Sequence, residues 1–342
     1  IGTPYTLSIT PLEGEEITYA WEQLDSGQVT SDNFGPYNPK GSMARSLPPK
    51  TKASRSIPNL QSLLQNELTL ENPSVGDSWE TLSLVERNLE WGLSVRKNVG
   101  DHVQVAQDKM EISVVATSTP FAVNSQASAS LVWKGGSYQT IVWDVAETNV
   151  PPFDVSTVEI LLSTDGGSNF NTLLAEDVPN TGEAIIFVPN SIDTSMARLK
   201  IKANGNIFFA INRATFSVES RQFGLSFDEY QQNNCDSESI QYNFNILREE
   251  GFDASFSFQA NELPNGVQAV FSKTSYSSSD NSGSVIFRGL DELSSGDYEF
   301  QISAVYGSQS EPYSVSLNQR ESSLEQPLLQ SPLNNAENQT VI

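Results

Sequence analysis

Two residue types that build most metal and nucleophile sites are almost missing from this chain. Its 342 residues include one cysteine, Cys235, and one histidine, His102. A single cysteine cannot form an intrachain disulfide or the thiolate set of a structural zinc site. A single histidine rules out HExxH and any two- or three-histidine zinc centre built from this chain alone. Walker loops, dinucleotide fingerprints and serine nucleophile elbows are also absent. No apolar run approaches the roughly 18 to 20 residues that would span a bilayer. Basic residues are scarce, with 19 Lys and Arg against 42 Asp and Glu, a net charge of -23. The excess acid is spread as -6 over residues 1–116, -5 over 117–219 and -12 over 220–342. A chain this uniformly acidic is not built to bind nucleic acid. Its charge serves solubility and self-repulsion, with weak structural calcium binding by carboxylates as a second reading.

What the chain has is alternation. Apolar and polar residues exchange with a period of two, the signature of strands with one buried face. Ile17, Tyr19 and Trp21 point one way, and Leu89, Trp91, Leu93 and Val95 repeat the pattern, with a closing strand near Met110, Ile112 and Val114. A second module shows strands over 141–145, 158–162, 184–188, 197–203 and 208–218, the last with an internal turn. Asp165-Gly166-Gly167 is a hairpin signal, because glycine supplies the positive φ such turns need. A third module has strand faces at Ile240, Tyr242, Phe244 and Ile246; Phe256 and Phe258; Tyr298, Phe300, Ile302 and Ala304; and Tyr313, Val315 and Leu317. Short strands at this spacing, without helices between them, predict an all-β chain of tandem immunoglobulin-like β-sandwich modules. The expected boundaries are 1–116, 117–219 and 220–318. Residues 319–342 read as a linker. The chain opens and closes in mid-pattern, and we read it as a piece of a longer protein.

The first module carries a long interruption at about residues 30–84, unusual inside a small β domain and commonly either functional or packed on a neighbour. Leu60, Leu63, Leu64 and Leu68 are spaced for a short helix there. Ser78 could cap a second, with Trp79, Leu82 and Val85 on one side. The interruption also holds a basic island, Lys40, Arg45, Lys50, Lys52 and Arg55, with no acid over residues 33–66. One reading is a docking loop laid on an acidic neighbouring domain, where arginine suits bidentate carboxylate contacts. The other is that it folds over its own module.

The segments Gly2-Thr3-Pro4-Tyr5-Thr6-Leu7 and Ile17-Thr18-Tyr19-Ala20-Trp21-Glu22-Gln23-Leu24-Asp25-Ser26-Gly27 resemble the region after the catalytic domain in secreted, reprolysin-like bacterial zinc metallopeptidases. So do Asn33-Phe34-Gly35-Pro36, Arg45-Ser46-Leu47-Pro48-Pro49, Asn88-Leu89-Glu90-Trp91 and, in the second module, Gln139-Thr140-Ile141-Val142-Trp143-Asp144-Val145 and Leu162-Ser163-Thr164-Asp165-Gly166-Gly167. The resemblance covers about residues 1–219. More loosely, the third module is similar to the immunoglobulin-like repeats of such proteins, and Ser331-Pro332-Leu333-Asn334 to entry into a fibronectin-type-III module. The resemblance implies an exported parent whose zinc sits in a catalytic domain absent from this chain. The family's zinc ligands and catalytic glutamate match no position here. At Pro11-Leu12-Glu13-Gly14-Glu15-Glu16 the chain departs from the Asp-rich turn that related sequences often carry.

Three further constellations each have two readings. Arg198, Lys200 and Lys202 alternate along one strand, either as a face for an anionic glycan or as an outward edge face balanced by Glu159 and Asp165. Trp133, before Lys134-Gly135-Gly136, is the expected exposed sugar-stacking tryptophan, whereas Trp21, Trp91 and Trp143 belong to cores. Ser163 to Phe170 resembles an Asp-box, which is a hairpin element rather than an active site. Cys235 reads as an unpaired thiol, or as one that pairs outside the fragment. The chain is therefore expected to have no catalytic residues and no cofactor. Its expected role is that of a secreted or cell-surface accessory spacer and docking region, with its own catalytic domain, a surface glycan or a protein substrate as partner. A carbohydrate-binding or adhesion stalk is the alternative.

Overall fold

A computed structural model describes residues 1–100, 102–235 and 237–320. Residues Ile1–Arg221 form one compact unit, and a second begins at Gln222.

In the first unit, β1 (Tyr5–Ser8) pairs antiparallel with β3 (Ser54–Ile57). Strands β2 (Ile17–Gln23), β4 (Arg87–Val99) and β5 (His102–Val114) form an antiparallel sheet in the order β2-β4-β5. Period-two alternation sets its inner face: Tyr19 lies opposite Val95, Trp21 opposite Leu93, and all four are buried with Leu89 and Trp91. The closing strand is a long edge strand, exposed from His102 through Glu111. Met110, read with Ile112 and Val114 as the closing strand, is exposed, whereas Ile112 and Val114 pack against the core.

The interruption forms one helix, α1 (Leu60–Gln65), between β3 and β4. Asn59 caps it by accepting from the Ser62 N–H, and Asn66 ends it in the left-handed conformation. The second helix expected at Ser78 does not form. Trp79 sits at φ +51 and Glu80 bridges to Ala44 in extended pairing, so this stretch is pulled into the β layer instead.

The rest of the first unit is a sandwich. One sheet is β6 (Ala122–Val123), β8 (Tyr138–Asp144) and β11 (Glu183–Phe187), ordered β11-β8-β6. The facing sheet contains β7 (Val132–Lys134), β9 (Thr157–Ser163), β10 (Thr172–Pro179), β12 (Thr194–Ala203), β13 (Phe209–Ile211) and β14 (Phe216–Glu219), ordered β10-β9-β12-β14-β7, with β13 also on β12. Ile141, Trp143 and Ile186 from one sheet meet Ile160, Leu162, Leu199 and Ile201 from the other in a single core. Strand β1 joins this sandwich to the N-terminal half. Thr6 N–H donates to Ile207 O at 2.9 Å and Phe209 N–H to Pro4 O at 3.0 Å. β1 thus pairs with β3 on one edge and with the approach to β13 on the other.

The second unit is a four-on-four sandwich. β15 (Phe223–Phe227), β17 (Ser239–Arg248), β19 (Gln268–Phe271) and β20 (Ser282–Arg288) are ordered β15-β17-β20-β19. Facing them are β16 (Gln231–Asn234), β18 (Ser257–Asn261), β21 (Gly296–Tyr306) and β22 (Gln309–Gln319), ordered β16-β22-β21-β18. This is the A-B-E-D and C-F-G strand order of an immunoglobulin fold, with β16 added parallel to β22. The Tyr298 hydroxyl donates to Ser294 O at 2.9 Å, the tyrosine corner of that fold. Two residues on, where antibody domains carry a cysteine, this chain has the fully buried Phe300, whose ring packs tilted on Phe287 of β20 at 4.4 Å between centroids. The expected linker and next module from residue 321 onward lie outside the described residues.

Candidate functional site: a cationic seam in the first unit

The basic island divides when the chain folds. Arg55 turns inward: Nη1 donates to Trp21 O at 2.6 Å, and Nη2 donates to Arg45 O at 2.8 Å and to Glu80 Oε1 at 2.6 Å. Its guanidinium also lies 5.5 Å from the Trp91 ring centroid. The Glu80 carboxylate, itself 3% exposed, accepts from the Asn59 N–H and amide at 2.8 and 3.0 Å. The buried pair therefore fixes the start of α1. Arg87 performs the same service at the other end of the loop, donating to Asn38 O and Gly41 O and pairing with Asp25. Of the island, Arg55 folds over its own module, while Lys40, Arg45, Lys50 and Lys52 stay exposed.

Helix α1 packs on the sandwich of the same unit. Arg198 on β12 donates from Nη2 to Leu64 O at 3.1 Å and from Nη1 to Asn212 O at 3.0 Å. Gly167, in the β9–β10 turn, has φ +99, and a Cβ there would collide with Leu64 Cδ2 and lie 3.1 Å from Arg198 Cδ. Only glycine serves both the backbone and the contact at this position. The turn itself is closed by Asp165, which accepts from the Ser163 hydroxyl at 2.7 Å and from the Asn169 N–H and amide at 2.9 and 2.8 Å. These donors hold its carboxyl at about 2, so Asp165 serves the turn rather than balancing the cations of β12.

The expected ligand face on β12 is not a simple exposed row. Arg198 is buried and spent on carbonyls; burial lowers its pKa. Lys200 is half-buried, with Nζ 3.9 Å from the Phe209 ring centroid and 5.7 Å from that of Phe170. Its pKa falls to about 8, through burial first and then repulsion from Lys202 and Lys52, which Glu159 partly offsets. Lys202 pairs with Glu159 at 3.0 Å. The fourth member, Trp133, is 1% exposed and packs on Phe216 at 4.6 Å. The glycine after Lys134 explains the reversal: a Cβ on Gly135 would stand 2.6 Å from Asn190 O. Gly135 allows close packing on Asn190, and the buried Trp133 is no sugar platform.

Sequence order does not show that the two cation groups belong to one paired layer, in which β3 joins β1, β1 joins residues 207–209, and β13 joins β12. Lys52, from the loop before β3, acts electrostatically on Lys200, on β12. Lys52 also lines a cleft of about 170 Å³ with Lys50, Ser54, Ser56, Asn59 and Leu60. Among the described residues, no three His, Cys, Asp or Glu side chains gather at metal-ligand spacing.

No family model and no curated protein matches the chain. Among solved structures it is similar to domains 4 and 5 of the S-layer protein SbsC, at 10% identity and TM-score 0.22, covering 50% of this chain and 81% of that one. A second match is to immunoglobulin domains 1–5 of Sidekick-1, at 12% identity and TM-score 0.22, covering 94% and 56%. A third is to SbsC domains 4–9, at 12% identity and TM-score 0.23, covering 71% and 37%. The immunoglobulin-like assignment rests on the strand orders and cores described above.

Proposed function

We propose that this chain is a non-catalytic spacer and docking region of an exported or cell-surface protein. The observation that carries the reading is the seating of α1 on β12 through Arg198 and Leu64. With the β1 pairing to residues 207–209, it makes a stiff two-part unit out of halves that could otherwise flex. A stiff unit holds whatever it bears at a set distance and angle. The more specific form of the reading places it behind the catalytic domain of a zinc metalloendopeptidase. It is supported by the ordered sequence blocks over residues 1–219, and Lys40, Arg45, Lys50 and Lys52 are the exposed cations offered to an acidic neighbour.

Two measurements test this. The isolated chain, with added zinc, is expected to cleave no peptide in a mixed-peptide digest; specific cleavage would refute the non-catalytic reading. The coding sequence upstream of Ile1 is expected to contain HExxH and a third histidine; further β repeats there would refute the peptidase form and favour an adhesion stalk.

A further inference from the structure

The charges around Lys200 do not balance. Arg198, Lys200 and Lys202 lie along β12, which is joined through β13 and β1 to β3; the loop before β3 carries Lys50 and Lys52, and both line the cleft. Both acids at this group are already taken: Glu159 pairs with Lys202, and Glu80, which lines the cleft, pairs with Arg55. Arg198 is neutralised by no carboxylate among the described residues; its partners are two backbone carbonyls. In a chain of net charge -23, a knot of like charge held by folded backbone costs stability unless something anionic occupies it. The cleft lining adds the Ser54 hydroxyl as a neutral partner, whereas the Asn59 amide is committed to Glu80 and the Ser56 hydroxyl to Thr6. It is poor in the feature that marks protein docking, since Leu60 is its one exposed large apolar side chain. A narrow, polar, extended polyanion fits these donors better than a flat protein surface.

We propose that this seam binds a linear anionic glycan, with its carboxylate or sulfate groups seated among Lys50, Lys52, Lys200 and Lys202. The site shares Lys50 and Lys52 with the docking loop of the reading above, so a glycan there and an acidic neighbouring domain exclude each other, and no peptidase parent is needed for it.

The test is titration calorimetry of the full chain against an oligogalacturonate, a heparin oligosaccharide, a neutral maltooligosaccharide and an oligoglutamate peptide. Binding of either anionic sugar, weakened by salt and with none for the neutral one, is expected. The stronger of the two identifies carboxylate or sulfate as the natural group. The double reversal Lys52→Glu with Lys202→Glu should lower affinity at least about tenfold, as lost and inverted charge contacts require. Lys50→Glu with Lys52→Glu, both at exposed positions, gives the same readout without disturbing the Glu159 pair. Lys109→Glu on β5 should change nothing. Failure of both anionic sugars to bind, binding indifferent to the reversals, or tighter binding of oligoglutamate would each overturn the proposal.

Discussion

Arg198 Nη2 and Leu64 O lie 3.1 Å apart although 134 residues separate them in sequence. The bond joins the helix of the long insertion to a central strand of the sandwich. A guanidinium can do this because its planar fork reaches two carbonyls at once, Leu64 O and Asn212 O. The insertion is therefore the clamp of the first unit.

The clamp is sensitive to one missing methyl. Gly167→Ala adds strain at φ +99 and a collision with Leu64, so it should destabilise the first unit by about 2 kcal/mol. Gly205→Ala, at φ +71 with no neighbour within 4 Å, carries the backbone strain alone and should cost less. Leu64→Ala should recover part of the Gly167→Ala loss. Urea midpoints of the three single variants and the double variant check this.

Removing Arg55 leaves the Glu80 carboxylate buried with only Asn59 as partner. Arg55→Leu should cost about 3–5 kcal/mol, as breaking one side of a buried pair does. Arg55→Lys should recover little, since an ammonium cannot reach Trp21 O, Arg45 O and Glu80 together. Chemical denaturation measures both.

Lys200 gives the first unit an alkaline signature. Its folded pKa, about 8, lies below the 10.5 of an unfolded lysine, so folding disfavours its charged form. Below pH 8 the penalty is fully present, and stability rises as pH climbs from about 8 to 10.5, where the unfolded chain binds the extra proton. Lys200→Met should raise stability at pH 7 and flatten that rise. Asp165 acts at the other end: its depressed pKa contributes stability above the ordinary carboxylate range that is lost as pH falls towards 2. Asp165→Asn should shrink the acid-side loss.

The second unit is pinned at its tyrosine corner. Tyr298→Phe removes the donor to Ser294 O and should cost about 1 kcal/mol, lowering the melting of the second unit while leaving the first unchanged. Calorimetry of the full chain resolves the two.

Regular alternation made most of the fold legible. The faces at Ile240, Tyr242, Phe244 and Ile246, and at Tyr313, Val315 and Leu317, appear on β17 and β22 as read. Strand β10 escaped notice because register shifts at Leu173/Ala175 and Ala175/Val178 scramble its period. Trp133 was misplaced because a Gly-Gly pair reads as an open turn, and only the approach of Asn190 reveals its packing role. The site was half legible. Sequence spacing marked both cation groups, but one-dimensional order cannot tell that Arg55 points inward, nor that β1 and β13 link the strand after Lys52 to the strand of Lys200.

The central claim is that the two halves of the first unit open as one body. Hydrogen exchange read by mass spectrometry across a urea series tests it most directly. Peptides covering α1, β4 and β12 should lose protection at one shared midpoint, and Arg198→Met should move that midpoint for all three. Opening of α1 and β4 at a lower urea concentration, with β12 still protected, would contradict it.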